Sequence, residues 1–308
     1  MGHIAGRKPL SLGGRIVKTW ELHCMMVVPI VIVLIFCYIP MVGLSISFQQ
    51  YYPTKGFFNS KWVGLAHYRF LFSLEDTWNV IRNTLVISVG KILVGISFSV
   101  VFALLLNEIS RKRLRVFIQT MVFFPFFLSW VVLGGILVDI LSLKGMVNAV
   151  TSLVGIDPVM FLGNAKLFVP TIIITNTWKD FGYNMIIFYA AIMNVDSTLY
   201  EAAVIDGAGR IRQTFAVTLP SIAPVIAVVT LLALGGVLNA GFDQIFNMYN
   251  PLVYETGDIL DTYIYRMGLL GAQYSFATAI GLFKSLIGFT LILFSYWAMD
   301  RFANYRII

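Results

Sequence analysis

Charge is scarce in this sequence. Of 308 residues, 12% are Asp, Glu, Lys or Arg and 58% are hydrophobic, whereas an average soluble domain is about 25% charged. So few charged groups do not cover a water-exposed surface, which excludes an ordinary soluble globular protein. Cysteine is scarce too, with Cys24 and Cys37 as the two. They share one apolar stretch, where a helix would hold them about 20 Å apart at ~1.5 Å per residue, too far for a disulfide. The histidines His3, His23 and His67 are scattered and form no metal-ligand set. No Ser-His-Asp or paired-carboxylate arrangement stands out, so no enzyme site is expected. Repeats of solenoid length and low-complexity stretches are also lacking. A net charge of +7 would suggest nucleic acid as the partner of a soluble protein. Here the basic residues lie between apolar segments, where they set membrane topology, and nucleic acid is not an expected partner.

What the chain has in abundance is long apolar runs. A bilayer-spanning helix takes about 20 residues, and six segments reach that length: Cys24–Phe48, Thr84–Leu106, Val116–Val138, Leu167–Met193, Ile222–Phe246 and Ala277–Met299. The first is too long for a signal-peptide core and lacks a small-residue cleavage site, so it is read as a retained helix. The fourth is the most polar, carrying Asn176, Lys179, Asp180 and Asn184, and the fifth is interrupted by Gly235, Gly236 and Asn239. The expected organisation is an all-α membrane domain over 24–299. An N-terminal segment precedes it at 1–23, and a tail follows at 300–308. Arg15–His23 reads equally as a short interfacial amphipathic helix or as a disordered basic tail.

Basic residues gather in alternate connections. They are Arg7, Lys8, Arg15 and Lys18; then Arg111, Lys112, Arg113 and Arg115; then Arg210 and Arg212; then Arg301 and Arg306. The positive-inside rule places all four groups, and both termini, in the cytoplasm. Gln49–Asn83, Asp139–Lys166 and Asn247–Phe276 then face outward.

One cytoplasmic connection differs from the rest. Tyr200–Pro220, YEAAVIDGAGRIRQTFAVTLP, is a long hydrophilic run between two very apolar segments. Asp196 and Ser197 suit a helix start, and small residues follow in Ala202, Ala203 and Ala208. Gly207 admits a close approach by another backbone, and Pro220 suits the first turn of the next helix. Helix–helix connections are commonly ~2–8 residues, so a longer ordered polar loop points to a docking surface rather than a plain hairpin.

The pattern Glu201-Ala202-Ala203, then Gly207, then Val217 and Leu219-Pro220 resembles the EAA loop. That loop marks the permease subunits of binding-protein-dependent ABC importers, and Val217 stands where the family has Ile or a similar aliphatic. FCYIPMVGLSISFQQYYPTKGFFNSKWVGLAHYRFLF (Phe36–Phe72) is similar to the first helix and outer loop of the sugar-permease branch. GFDQIFNMYNPLVYETGDILDTYIYRMGL (Gly241–Leu269) is similar to the LplB-like polysaccharide and oligosaccharide permeases. The resemblance implies a type I importer permease fold with a MetI-like core of six helices in a bacterial cytoplasmic membrane. It implies ATPase-coupling roles for Glu201, Ala202, Ala203, Asp206, Gly207, Ala208, Leu219 and Pro220. It also implies a second homologous permease, two ATPase subunits and an extracytoplasmic sugar-binding protein as partners. The chain has no GxxxxGK[ST] phosphate-binding loop, so ATP and Mg are expected on the ATPase subunits, with no cofactor or metal on this one.

Polar residues inside spans are functional-site hypotheses by default. Helical spacing puts Asn176, Lys179 and Tyr183 on one face, and Asn239, Phe242, Asp243 and Phe246 on another. With Trp178 and Gln244, these supply the amides, carboxylate and aromatic faces that sugars need, and form the candidate substrate path. The bland alternative is helix packing. Lys91 and Lys284 lie near helix ends and read as snorkelling to the headgroups. A sharper reading has Lys91, Lys179 and Lys284 facing the path and favouring an anionic sugar. Gly134-Gly135 and Gly235-Gly236 are either flex points or close helix contacts. The competing functions are an ABC permease for another solute class, an ion-coupled secondary transporter using Lys179 and Asp180, and a membrane scaffold or sensor that transports nothing.

Overall fold

The computed structural model describes residues 19–302, and nearly all of their regular structure is helical. The expectations for Arg7, Lys8, Arg15, Lys18 and Arg306 fall outside those residues. The first rod, Trp20–Phe48 (α1), is apolar all round, and every residue from Trp20 to Val42 is exposed. A hairpin of two short antiparallel strands follows, β1 (Gln49–Gln50) and β2 (Lys61–Trp62), with Gln49 opposite Trp62. Ala66–Ser73 (α2) leads into the longest helix, Glu75–Asn107 (α3).

The centre of the molecule is α3 packed along Ala165–Met193 (α7), which follows the short helix Met146–Ser152 (α6). Small residues set the spacing. Gly90 faces the Ile173 side chain, Ala103 is fully buried, and the Ser99 hydroxyl donates to the Phe181 carbonyl at 3.1 Å. At one end Leu106, Met185, Phe188 and Ile222 form an apolar cluster. At the other, Ile87, Phe168, Ile172 and Ile245 form a second.

Among the described residues, four helices are long and apolar enough to span a membrane: Trp20–Phe48, Glu75–Asn107, Arg210–Gly235 (α9) and Tyr274–Ala298, the latter within Tyr274–Phe302. The third expected span is not one straight rod. Lys112–Phe123 (α4) continues through a 3-10 turn at Phe124–Phe127, then the chain bends by 99° into Trp130–Ile140 (α5). Pro125 provides no backbone donor and disfavours helix for its predecessor, and Ser129 caps the new helix by accepting from the Val132 amide at 3.4 Å. The fourth expected span, α7, has 29 residues, about 44 Å at ~1.5 Å each. It is long enough to cross, though it carries Lys166, Lys179 and Asp180 and is not among the strongly apolar helices. The set is consistent with six crossings.

The fifth expected span, Ile222–Phe246, is corrected at both ends. Its helix begins at Arg210 and stops at Gly235, with Gly236 as the C-cap. Val237–Ala240 is non-helical, Gly241 adopts φ 93°, and Phe242–Met248 (α10) starts afresh. Gly235-Gly236 is therefore a helix stop. Gly134 is a close contact, since a Cβ there would lie 2.9 Å from Asn247 Cβ, while Gly135 has open space.

Beyond α10 the chain folds back as Leu260–Tyr265 (α11) against α3. The Asn83 amide donates to the Glu255 and Asp258 carbonyls at 2.8 and 3.2 Å, and the Leu260 amide donates to Thr84 Oγ1 at 2.9 Å. Asp258 pairs with Arg266 and accepts from Thr262 at 2.6 Å. Burial pushes its carboxyl above the usual range, while Thr262 and Arg266 pull it back. Arg266→Met strands that carboxylate and is expected to cost about 3 kcal/mol, read as a lower thermal midpoint in detergent. An unchanged midpoint would show that the pair adds nothing.

Candidate functional site

Two places in the fold hold the residues singled out by sequence. The first is the connection from α7 to α9. Asp196 caps the nine-residue helix Ser197–Ile205 (α8) by accepting from the Thr198 amide at 2.9 Å. That bond holds its carboxyl below the usual range. The helix ends with the Ala208 amide donating to Ala203 O at 2.8 Å and the Gly207 amide to Val204 O at 3.0 Å. This is the paired C-terminal lock that needs a left-handed residue after the cap, and Gly207 supplies it with φ 74°. A Cβ at Gly207 would meet nothing within 4 Å. Within the chain, then, this glycine is required by backbone angle and not by a close neighbour.

Downstream, Gln213 Nε2 donates to Ala208 O at 2.8 Å, and Arg210 pairs at 3.1 Å with Glu108, the residue that caps the end of α3. Tyr200 and Thr218 share a hydroxyl–hydroxyl bond at 3.0 Å. Pro220 does not open the next helix, because α9 already began at Arg210. A wide π turn at Thr214–Thr218 accommodates a proline that would otherwise clash one turn back. Glu201, Ala202, Asp206, Gly207 and Pro220 are exposed, whereas Ala203, Ala208 and Leu219 are half-buried. Sequence reading missed the larger apolar side chains beside them. Ile205 is 86% exposed, Ile211 77%, Phe215 67% and Val204 61%. Their signal was present, since isoleucine and phenylalanine in a polar connection between spans have no lipid to face.

The second place is a polar cavity of about 230 Å³ between α3, α7 and the end of α9. Asn176 and Asn239 both line it, together with Lys91, Asp180 and Asn184. Asn176, Asp180 and Asn184 are four residues apart and so share one face of α7. Asn176 Nδ2 donates to Asp180 Oδ2 at 2.5 Å, and Lys179 Nζ lies 3.6 Å from Asp180 Oδ1.

The other expected path residues do not line this cavity. Lys179 is 7% exposed and turned toward the α4–α5 bend, donating to the Phe126 carbonyl at 2.9 Å over the rings of Phe126 and Trp130. Tyr183 stacks on Phe126 with centroids 4.7 Å apart. Asn176 therefore does not share a face with Lys179 and Tyr183. Gln244 is fully buried and donates to Ile172 O at 2.8 Å and Thr175 Oγ1 at 2.9 Å. Trp178 and Asp243 are exposed, and Phe242 packs on Phe246 and Tyr265. Asn239 precedes α10 and so does not share a helix face with Phe242, Asp243 and Phe246.

The snorkelling reading of two lysines is also corrected. Lys284 pairs with Asp261 at 2.5 Å, and Lys91 donates to the Ala240 carbonyl at 2.6 Å. Both point inward because acceptors lie there. Lys91 and Lys179 do the same job, each reaching a carbonyl where a helix breaks. Backbone groups at membrane depth need such partners.

Comparison with known proteins places these features. Residues 95–304 match the family described as binding-protein-dependent transport system inner membrane component. Protein LplB of Bacillus subtilis (strain 168) is 38% identical over 283 residues, which is 91% of this chain and 89% of that protein. The polygalacturonan/rhamnogalacturonan transport system permease protein YteP of the same organism is 36% identical over 291 residues, 94% of this chain and 91% of that one. A chain in the crystal structure of a bacterial alginate ABC transporter, in complex with an alginate pentasaccharide-bound periplasmic protein, superposes with a TM-score of 0.87. It is 38% identical, over 96% of this chain and 99% of that chain. Its apolar helices and these relatives make the protein a multi-pass membrane protein. The chain belongs to the family of binding-protein-dependent transport system inner membrane components, the permeases of ABC transporters.

Proposed function

We propose that the chain is the membrane-spanning permease subunit of an importer that moves oligosaccharides or polysaccharide fragments into the cell. Separate ATPase subunits drive it, using ATP and Mg, while this subunit catalyses no reaction. Relatives that transport polygalacturonan, rhamnogalacturonan and alginate support the saccharide class. The observation that carries the coupling role is the α8–Gly207 turn, which presents Val204, Ile205, Ile211 and Phe215 to a partner. In this reading the turn faces the cytoplasm and an ATPase subunit clasps it. A second homologous permease completes the membrane pore, and a sugar-loaded binding protein docks on the opposite side, on Gln49–Asn83 and Asn247–Phe276. Asn176 and Asn239, at the polar cavity, are the path residues the geometry favours, while Lys179 and Gln244 hold the helices together.

The test is a double variant, Ile205→Asp with Ile211→Asp. Buried apolar anchors at interfaces are commonly worth ~2 kcal/mol or more each, so co-purification of the ATPase and ATP-driven uptake are expected to fall at least ~tenfold. The chain itself is expected to stay at its normal level in the membrane. Full uptake with the ATPase still attached would remove this surface from the coupling role.

A further inference from the structure

We infer that Lys91 reads the carboxylates of an acidic sugar, an inference that rests on the saccharide reading above. Three intramembrane lysines differ in what surrounds them. Lys284 is paired with Asp261. Lys179 is bound to Phe126 O, lies 3.6 Å from Asp180 and sits against two aromatic rings. Lys91 has one bond, to Ala240 O, and no carboxylate of the described residues lies within ion-pair distance of it.

An ammonium has three donors, so two remain on Lys91, and its side chain lines the polar cavity. Asp180 lines the same cavity but does not lie within ion-pair distance of Lys91. One of its oxygens accepts from Asn176, and the other lies nearest Lys179. Asp180 is therefore shared between Lys91 in the cavity and Lys179 outside it, and the Asn184 and Asn239 amides complete the polar lining. A neutral sugar would leave Lys91 unpaired in a place where an unpaired charge is costly. A uronate supplies the missing anion, and charge-assisted bonds of this kind are about twice as strong as neutral ones. Gly241 belongs to the same arrangement. A Cβ there would stand 2.9 Å from Lys91 Nζ, so the glycine leaves the ammonium room beside the Ala240 carbonyl.

The experiment uses the complete transporter in lipid vesicles. Its binding protein is supplied saturated with either trigalacturonate or the methyl ester of the same trisaccharide, and import of the two is compared as a ratio. Lys91→Gln keeps a donor for Ala240 and removes the charge. It is expected to lower the acid-to-ester ratio about tenfold, since hydrogen bonds to charged groups are worth ~1.5–3 kcal/mol. Asp180→Asn keeps an acceptor for Asn176 and removes the competing carboxylate, so it is expected to raise the ratio. A structural tether alone would lower both imports together and leave the ratio unchanged; that result, or no effect of Lys91→Gln on either sugar, overturns the inference. Where Lys91→Gln fails to reach the membrane, Asp180→Asn decides alone: a raised ratio supports the carboxylate site and an unchanged one removes it. An unaltered transporter that imports neither sugar would overturn the saccharide reading itself, a result distinct from an unchanged ratio.

Discussion

Gly207→Val is expected to lower import below about a tenth of normal while leaving the protein in the membrane. Gly207 sits at φ 74°, a region in which a β-branched residue is an outlier and where L side chains lose roughly 1–2 kcal/mol. That cost falls on one small motif. The two bonds closing α8, from Ala208 and Gly207 to Ala203 and Val204, exist only while residue 207 stays left-handed. A nine-residue helix has little stability of its own, because isolated helices below ~12–15 residues are marginal in water. Losing the lock frees the end of α8 and scatters the exposed Val204, Ile205 and Ile211, the side chains proposed to meet the partner. Import below about a tenth of normal corresponds to ~1.4 kcal/mol, within the range of the strain alone. Asparagine tolerates the left-handed region, and nothing in the chain lies within 4 Å of the new Cβ. Gly207→Asn is therefore expected to keep at least about half of the activity on the strain argument. Equal failure of valine and asparagine would mean that a partner's backbone rests on Gly207, so that size and not angle is the constraint. Normal import by the valine variant would remove the turn from the coupling mechanism.

The turn was legible in the sequence because its signals are local. Asp196 before a helical run is cap chemistry, which needs no knowledge of neighbours, whereas the expected role of Gly207 as room for another backbone gives way within the chain to its left-handed angle. The apolar rods were legible for the same reason, since hydropathy over about 20 residues is a property of one segment. What escaped was everything set by orientation. Hydropathy runs unbroken through Phe123, Phe124, Phe126 and Phe127, so the bend after Pro125 left no mark on it. Lys91 and Lys284 lie at depths that suit snorkelling, yet depth says nothing about which side of the helix faces protein. Asn176 and Lys179 are three residues apart and satisfy a common-face rule. They nonetheless face different neighbours, Asn176 the cavity and Lys179 the bend. The fifth span misled most. Its break at Val237–Ala240 is stabilised by Lys91, some 150 residues earlier in the chain, a contact invisible to any local window.

The second large effect is structural and concerns that bend. Gly182→Leu is expected to destroy the folded protein. A Cβ on Gly182 would overlap the Val122 carbonyl group, with its carbon at 2.7 Å, and lie 3.0 Å from Phe123 Cα. These are backbone atoms, which do not swing aside as the end of a flexible side chain does. Lys179 lies one turn before Gly182 on α7 and reaches the Phe126 carbonyl on the same bend. The two residues act together: glycine lets the chains touch, and lysine satisfies a carbonyl freed where the helix turns by 99°. Even Gly182→Ala forces the chains apart, lengthening the Lys179 bond as well. Overpacking alone costs about 1–3 kcal/mol, and a buried acceptor left unpaired adds ~1–3 kcal/mol. A loss above ~4 kcal/mol is exceptional for one substitution and is a large part of a typical total stability of ~5–15 kcal/mol. Thermal unfolding in detergent and the yield of monodisperse protein measure it directly. Gly135→Ala is the control, since open space surrounds that position and alanine is the better helix former by roughly 0.5–1 kcal/mol. The expected order is therefore Gly135→Ala at or above the unaltered protein, Gly182→Ala well below it, and Gly182→Leu not recovered. Should Gly182→Ala melt with the unaltered protein, α7 and the bend are not in the close contact that explains both the glycine and the buried lysine beside it.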